Sequence, residues 1–422
     1  MQSAQQVPSR SPQHFDVAII GAGPSGSVAA SLLHQQGKQV IVIEKQHFPR
    51  FSIGESLLPC CMNVLEQANL IEAVNQAGFQ FKNGAAFNSQ GRYTEFDFTD
   101  KFSVGHGTTF QVERGSFDKL LADTAAEQGV NIRYGHSVEQ IDLQGDPLLD
   151  VVDEHGQPYQ IQAEYILDAS GFGRVLPRLL DLEIPSSLPT RSAVFTHIED
   201  NIDTLSDPEF EFDRDKILIS VHPENKDIWY WLIPFSNGRC SVGVVGEPHL
   251  LGDLNGDLQP ILQRFINEEP RLKQLLSKAK FVRECALLQG YSANVKTLAS
   301  DKFALLGNAG EFLDPVFSSG VTIAMQSAAL ASQCLLKQLD GEKVDWQQQY
   351  AQPLMVGVDT FRTYVEAWYD GRFQDVIFYP DADPKIKQMI CSILAGYAWD
   401  ESNPFVADSE RRLKLVVELC RA

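Results

Sequence analysis

An apolar run, Asp16-Val17-Ala18-Ile19-Ile20, passes straight into Gly21-Ala22-Gly23-Pro24-Ser25-Gly26 and then into the small residues Ala29-Ala30-Ser31. Few arrangements satisfy that pattern. A buried strand must turn sharply at Gly21, keep its backbone bare at Gly23, and start a helix that packs closely on the strand through Gly26. The helix start then offers free N–H groups and the positive end of a dipole to a pyrophosphate, with Ser25 beside it. A second apolar strand, Gln39-Val40-Ile41-Val42-Ile43, ends at Glu44, eighteen residues past Gly26, where a carboxylate can accept hydrogen bonds from ribose hydroxyls. The opening β-α-β unit therefore predicts an adenine dinucleotide.

Two later segments repeat the theme of a strand ending in small residues. Tyr165-Ile166-Leu167-Asp168-Ala169 runs into Ser170-Gly171, and Phe303-Ala304-Leu305-Leu306 runs into Gly307-Asn308-Ala309-Gly310. In open α/β sheets, ligands gather at the carboxyl ends of strands, so Asp168, Gly307 and Asn308 join the predicted cofactor site. Between these segments the chain is rich in strands, over residues 84–110, 138–161 and 190–246. Helices are predicted from about Cys60 to Ala77, from Leu258 to Leu276 with a break near Pro270, from Gly320 to Leu339, and through the tail. The fold class is α/β: a discontinuous Rossmann-like dinucleotide-binding domain (15–85, 106–185 and 285–340), sheet-rich substrate-side insertions (86–105 and 186–284) and a helical C-terminal region (341–422). Residues 1–14 are expected to be a disordered lead-in.

Composition narrows the partners. The 422 residues carry a formal net charge of −20, which opposes nucleic-acid binding and unaided docking on anionic lipid. No apolar run reaches the roughly 18–20 residues of a membrane span, and the first residues lack the apolar stretch of a signal peptide. The seven cysteines are scattered, and neither they nor the nine histidines show metal-ligand spacing, so no metal is expected. Cys60-Cys61 reads as two reduced thiols on a helix, and a reducing cytoplasm is the expected compartment.

Three further strings bear on chemistry. Trp229-Tyr230-Trp231-Leu232-Ile233-Pro234 puts two indoles on one face of a strand, which is equally an ordinary core pattern. Phe312-Leu313-Asp314-Pro315-Val316-Phe317-Ser318-Ser319-Gly320 ends in a turn that opens a helix, either as a plain cap or as an anion seat. Lys82-Asn83-Gly84 sets one lysine among apolar residues, where composition alone favours a surface residue. Arg114, opening a helix, is by type as readily a surface arginine.

Taken together, the chain resembles the FAD-binding aromatic hydroxylases and, within them, the flavin-dependent halogenases. The Trp-x-Trp-x-Ile-Pro and Phe-x-x-Pro-x-x-Ser-x-Gly strings carry the second likeness. The resemblance implies FAD bound by Gly21, Gly23, Ser25, Gly26, Glu44, Arg114, Asp168, Gly307 and Asn308. Asn308 departs from the aspartate usual there. It implies Trp229, Trp231, Pro315 and Phe317 around the flavin and substrate cavity, halide at Ser319 and Gly320, and Lys82 as the catalytic lysine. It further implies a separate NAD(P)H-dependent flavin reductase that supplies reduced FAD, with oxygen and halide consumed to halogenate an aromatic substrate of secondary metabolism. Tryptophan halogenases carry a glutamate where this chain has Phe317, so a phenolic or pyrrolic ring is expected, free or bound to a carrier protein. The alternative is a monooxygenase or reductase of the same fold acting directly on an organic substrate.

Overall fold

The computed structural model describes residues 11–186, 188–204, 212–292 and 294–422. Most of the expected lead-in lies outside these residues. Its last two residues, Gln13 and His14, already belong to the first strand, Gln13–Ile20.

A seven-stranded sheet holds the dinucleotide signature. Gln13–Ile20 lies between Val40–Glu44 and Pro158–Asp168, parallel to both, and Asn131–Tyr134 extends the parallel set beyond Val40–Glu44. Pro158–Asp168 changes character along its length. Its first half pairs antiparallel with Leu148–Val152, and its last residues pair parallel with Phe303–Leu305. The register aligns Ile20 with Ile43 and Asp168, and Asp168 with Leu305. The strand ends singled out in the sequence therefore finish on one edge. Val40–Glu44 is buried at all five residues, as a strand covered on both faces requires.

An eight-stranded sheet forms the second layer. Its centre runs Ser192–Glu199, Arg239–Gly246, Trp229–Pro234, Lys216–Val221, Gly84–Ser89, with the last two parallel. Alternation along Trp229–Pro234 divides the strand between two cores. Trp229, Trp231 and Ile233 face the main core, while Tyr230 and Leu232 face a smaller one under the helices Gln259–Glu268 and Pro270–Leu275. The break expected near Pro270 is present, with Glu269 capping the second helix through Arg271 N and Leu272 N.

The single helix expected from Cys60 to Ala77 is instead two, Cys60–Gln67 and Ile71–Gln76. Asn69 turns the chain between them at φ +54°, a left-handed conformation that Asn tolerates better than most residues. Both thiols at 60 and 61 are buried and free, and burial pushes Cys60 up to about 12. The long helix Ser319–Leu339 and the tail helices, among them Gln352–Tyr369 and Arg372–Ile377, cover the remaining side. Among the described residues, no helix is long and apolar enough to cross a membrane.

Candidate active site

The three glycines of the first turn have different physical reasons. Gly21 sits at φ +99°, and a Cβ there would lie 2.6 Å from the Ala169 carbonyl oxygen. A Cβ on Gly26 would lie 1.9 Å from the Gly21 oxygen. Gly23 differs: the space beside it is open and bounded only by the Arg50 guanidinium, at 3.5 Å. The helix Pro24–Gln35 that follows has no side-chain cap, which leaves its first N–H groups free for an anion.

Glu44 closes the turn from below. One carboxylate oxygen accepts from Ala22 N at 2.8 Å and the other from Gln46 N at 2.9 Å. Each keeps a second lone pair for a ligand hydroxyl. Arg114 is buried rather than on the surface. It grips Asp118 with two bonds of 2.7 and 3.0 Å and donates to the Ile53 carbonyl at 2.5 Å. Arg50 reaches the same Asp118 at 3.1 Å. The pair thus holds the segment 50–54 against the helix Arg114–Glu127.

Asp168 does not face the cavity, contrary to its expected place among the cofactor contacts. It is fully buried and braces the turn beyond it, accepting from Ser170 N at 2.9 Å and Leu176 N at 2.7 Å. Burial pushes its carboxyl up. Ala169, Ser170 and Gly171 line the cavity in its stead. Gly307 is the close-approach point on the third strand end. A Cβ there would sit 2.7 Å from that of Ala324, and its N–H donates to Ser327 Oγ at 2.9 Å. Asn308 lines the cavity.

That cavity is continuous, about 550 Å³, and runs from the glycine turn past Glu44 and the strap 50–56 to an apolar end. Trp229, Trp231, Ile217 and Ile233 form one wall there, and Pro315, Val316, Ser318 and Gly320 form another. The indoles are anchored: Trp229 Nε1 donates to Tyr369 Oη at 2.8 Å and Trp231 Nε1 to Ser241 Oγ at 3.0 Å. Gly243, on the neighbouring strand, makes room for Trp231, since a Cβ there would fall 2.3 Å from the ring.

One expected wall residue, Phe317, and one expected halide contact, Ser319, point elsewhere. Phe317 packs away from the cavity against Trp368 at 5.7 Å and Phe373 at 5.4 Å. The tight turn Pro315–Phe317 swings its third side chain toward the tail helices. Ser319, the first residue of the long helix, is buried, and Ser318 faces the cavity in its place from a left-handed φ of +57°.

Lys82 ends the strand Gln80–Lys82 and is 0% exposed. Its Nζ donates to Ser56 Oγ at 2.8 Å and to the Leu57 carbonyl at 2.7 Å, and lies 5.3 Å from the centre of the Phe98 ring. Burial lowers its pKa to about 7. Ser56 lies on the cavity wall; Lys82 stands one side chain behind it.

The family described as FAD binding domain matches residues 14–349. The chain is 29% identical over 426 residues to the 1H-pyrrole-2-carbonyl-(peptidyl-carrier protein) chlorinase of Pseudomonas fluorescens, covering 96% of this chain and 94% of that one. It is 30% identical over 358 residues to flavin-dependent halogenase armH3 of Armillaria mellea, covering 78% of this chain and 69% of that one. The chain belongs to the flavin-dependent halogenase family. This halogenase-family protein is an FAD-dependent oxidoreductase. A crystal structure described as a flavoprotein/dehydrogenase from Cytophaga hutchinsonii superposes with a TM-score of 0.92 at 42% identity, over 97% of this chain and 99% of that one.

FAD suits the cavity on the halogenase-family protein's own geometry. The uncapped helix start and open Gly23 would receive its pyrophosphate end. Glu55, on the cavity wall, has one carboxylate oxygen bonded to His197 at 2.7 Å and the other buried without a partner, where a ligand donor would satisfy it. Arg50, Glu55, Ser56, Tyr291 and Tyr369 escaped the sequence reading. The strap residues lie in the Gly/Pro-marked loop 47–59, but nothing along the chain links that loop to Lys82 or to His197.

Proposed function

We propose that the protein halogenates an electron-rich aromatic ring, phenolic or pyrrolic, free or carrier-bound, in secondary metabolism. A separate NAD(P)H-dependent reductase would supply reduced FAD. The observation that carries this reading is Lys82, an amine removed from water, held near neutrality and separated from an indole-walled cavity by one hydroxyl. When bound in its reduced form, FAD would pass its electrons to oxygen, and the activated oxygen would oxidise halide to an electrophile. Trp229 and Trp231 crowd the apolar end and keep a carbon substrate from that chemistry, so that halide is oxidised instead. Gly320 and Ser318 offer small groups at a helix start for the halide, in place of the expected Ser319. Lys82, as ammonium, hydrogen-bonds hypohalous acid or, as free amine, carries the halogen and presents it to the ring. The pyrrole substrate in the name of the Pseudomonas relative supports the pyrrolic class.

A second reading keeps FAD but lets it act directly on an organic substrate. Two observations favour it: Lys82 is walled off from the cavity, and the 42%-identical neighbour carries a dehydrogenase description. Mass spectrometry of a phenol and pyrrole panel, free and carrier-bound, with FAD, flavin reductase, NADH and chloride or bromide separates the two. Halogen isotope patterns in the product support the first. Products that gain oxygen or lose hydrogen irrespective of halide establish the second.

A further inference from the structure

Behind the Trp229 wall lies a buried polar knot to which the proposed reaction assigns no role. Trp229 Nε1 donates to Tyr369 Oη at 2.8 Å. The Tyr369 hydroxyl in turn faces the buried Asp314 carboxylate and favours its charged form. Asp314 is 2% exposed. It also accepts from Tyr291 Oη at 2.9 Å and from Val316 N at 3.1 Å. The Arg191 guanidinium lies 3.3 Å over the Tyr369 ring, held by two bonds of 2.7 and 2.8 Å to Asp227, two residues before Trp229. Asp314 thus accepts directly from Tyr291 and from the turn at Pro315–Phe317, and the Trp229 strand is linked to it through Tyr369. Phe317 secures the same turn on Trp368, the neighbour of Tyr369.

An indole on a strand has two broad settings about its outer torsion, and the N–H anchor selects one. We propose that Asp314 and Tyr369 are positioning residues that fix the Trp229 indole and the 315–320 turn as one unit. In doing so they set what share of the oxidised halide reaches the ring rather than escaping. The consequence for product rests on the halogenase reading; the anchoring of the indole does not.

Tyr369→Phe and Asp314→Asn, singly and together, test this, with FAD uptake as the check on folding. The first readout is halogenated product per oxygen consumed. It is expected to fall about tenfold in each single variant, with hydrogen peroxide or free hypohalous acid making up the difference. The double variant is expected to be no worse than either single one, because both break the same chain of bonds. The second readout is the indole N–H band in ultraviolet resonance Raman, assigned by its loss in Trp229→Phe. It is expected to shift in both single variants. Product yield per oxygen at the wild-type level, or losses that multiply in the double variant, would overturn the coupling role. A band that shifts in Tyr369→Phe but not in Asp314→Asn would overturn the part given to Asp314. Should Asp314→Asn fail to take up FAD, Tyr369→Phe, which deletes a single oxygen, decides the matter on both readouts. If wild-type protein halogenates no ring at all, the functional reading fails, and the Raman band still decides the anchoring.

Discussion

A lysine enclosed on every side alters the protonation balance of the folded state. In the unfolded chain Lys82 titrates near 10.5; in the fold, burial brings it to about 7. Between those values the unfolded chain holds a proton that the native one lacks, so stability rises with pH across that window. The cost of burying the residue is fully present below pH 7 and fades toward pH 10.5. Lys82→Met removes it, so the variant's advantage in urea unfolding of apoprotein is expected to be on the order of 3 kcal/mol larger at pH 7 than at pH 10. A second expectation concerns chemistry. Lys82→Met keeps the length of the side chain and deletes its nitrogen. Halogenated product should vanish by mass spectrometry, while FAD uptake and reductase-driven oxygen consumption persist. Undiminished product would remove Lys82 from the mechanism. At this scale Lys82 was singled out by Lys82-Asn83-Gly84 within the family resemblance. Its burial was not, because Ser56, Leu57 and Phe98 reach it only through the fold.

Elements were readable where a period governed them. The alternation in Trp229–Pro234 has both indoles on the cavity side, and the glycine turn behaves as its three spacings demand. Reading failed where no period exists. A three-residue turn gives no hint that Phe317 leaves the cavity for Trp368 and Phe373. A lone Asn69 at φ +54° splits a stretch whose apolar pattern continues across it. The pairing of Trp229–Pro234 with Arg239–Gly246 also hides a constraint: Trp231 occupies the volume that a side chain at 243 would fill. Gly243→Val is expected to push that ring off its bond to Ser241 and destabilise the protein by about 1–3 kcal/mol in urea unfolding. An unchanged midpoint would mean that the strand relaxes around the new side chain.

At the scale of the whole molecule, the helical tail backs the cavity wall from behind without lining it. Gly23→Trp would fill the open space beside the helix start, so FAD uptake, followed by absorbance and equilibrium dialysis, should be abolished while the circular dichroism of the apoprotein stays native. The tail is part of the cavity's support through Tyr369 and Trp368, and it is itself packed tightly. A Cβ on Gly357 would lie 2.1 Å from the Trp399 ring, so Gly357→Leu is expected to lower apoprotein stability by about 1–3 kcal/mol in calorimetry, far from any ligand. That the glycine-marked strand ends finish together was legible in the sequence; the order of the strands was not. The attachment of the tail was not, since contacts such as Trp229 to Tyr369 span 140 residues of chain. The helix Ser319–Leu339 has a consequence for descent. Along one rod it carries Gly320 at the cavity, Thr322 against Cys61, Ala324 against Gly307, and Ser327 bonded to the Gly307 N–H. A lineage that enlarges position 324 must at once lose the approach at 307, and one that slides the rod must rewrite all four contacts together. Drift along this helix is therefore expected to be correlated, with positions 307, 324 and 327 inherited as a block while its outward face varies freely.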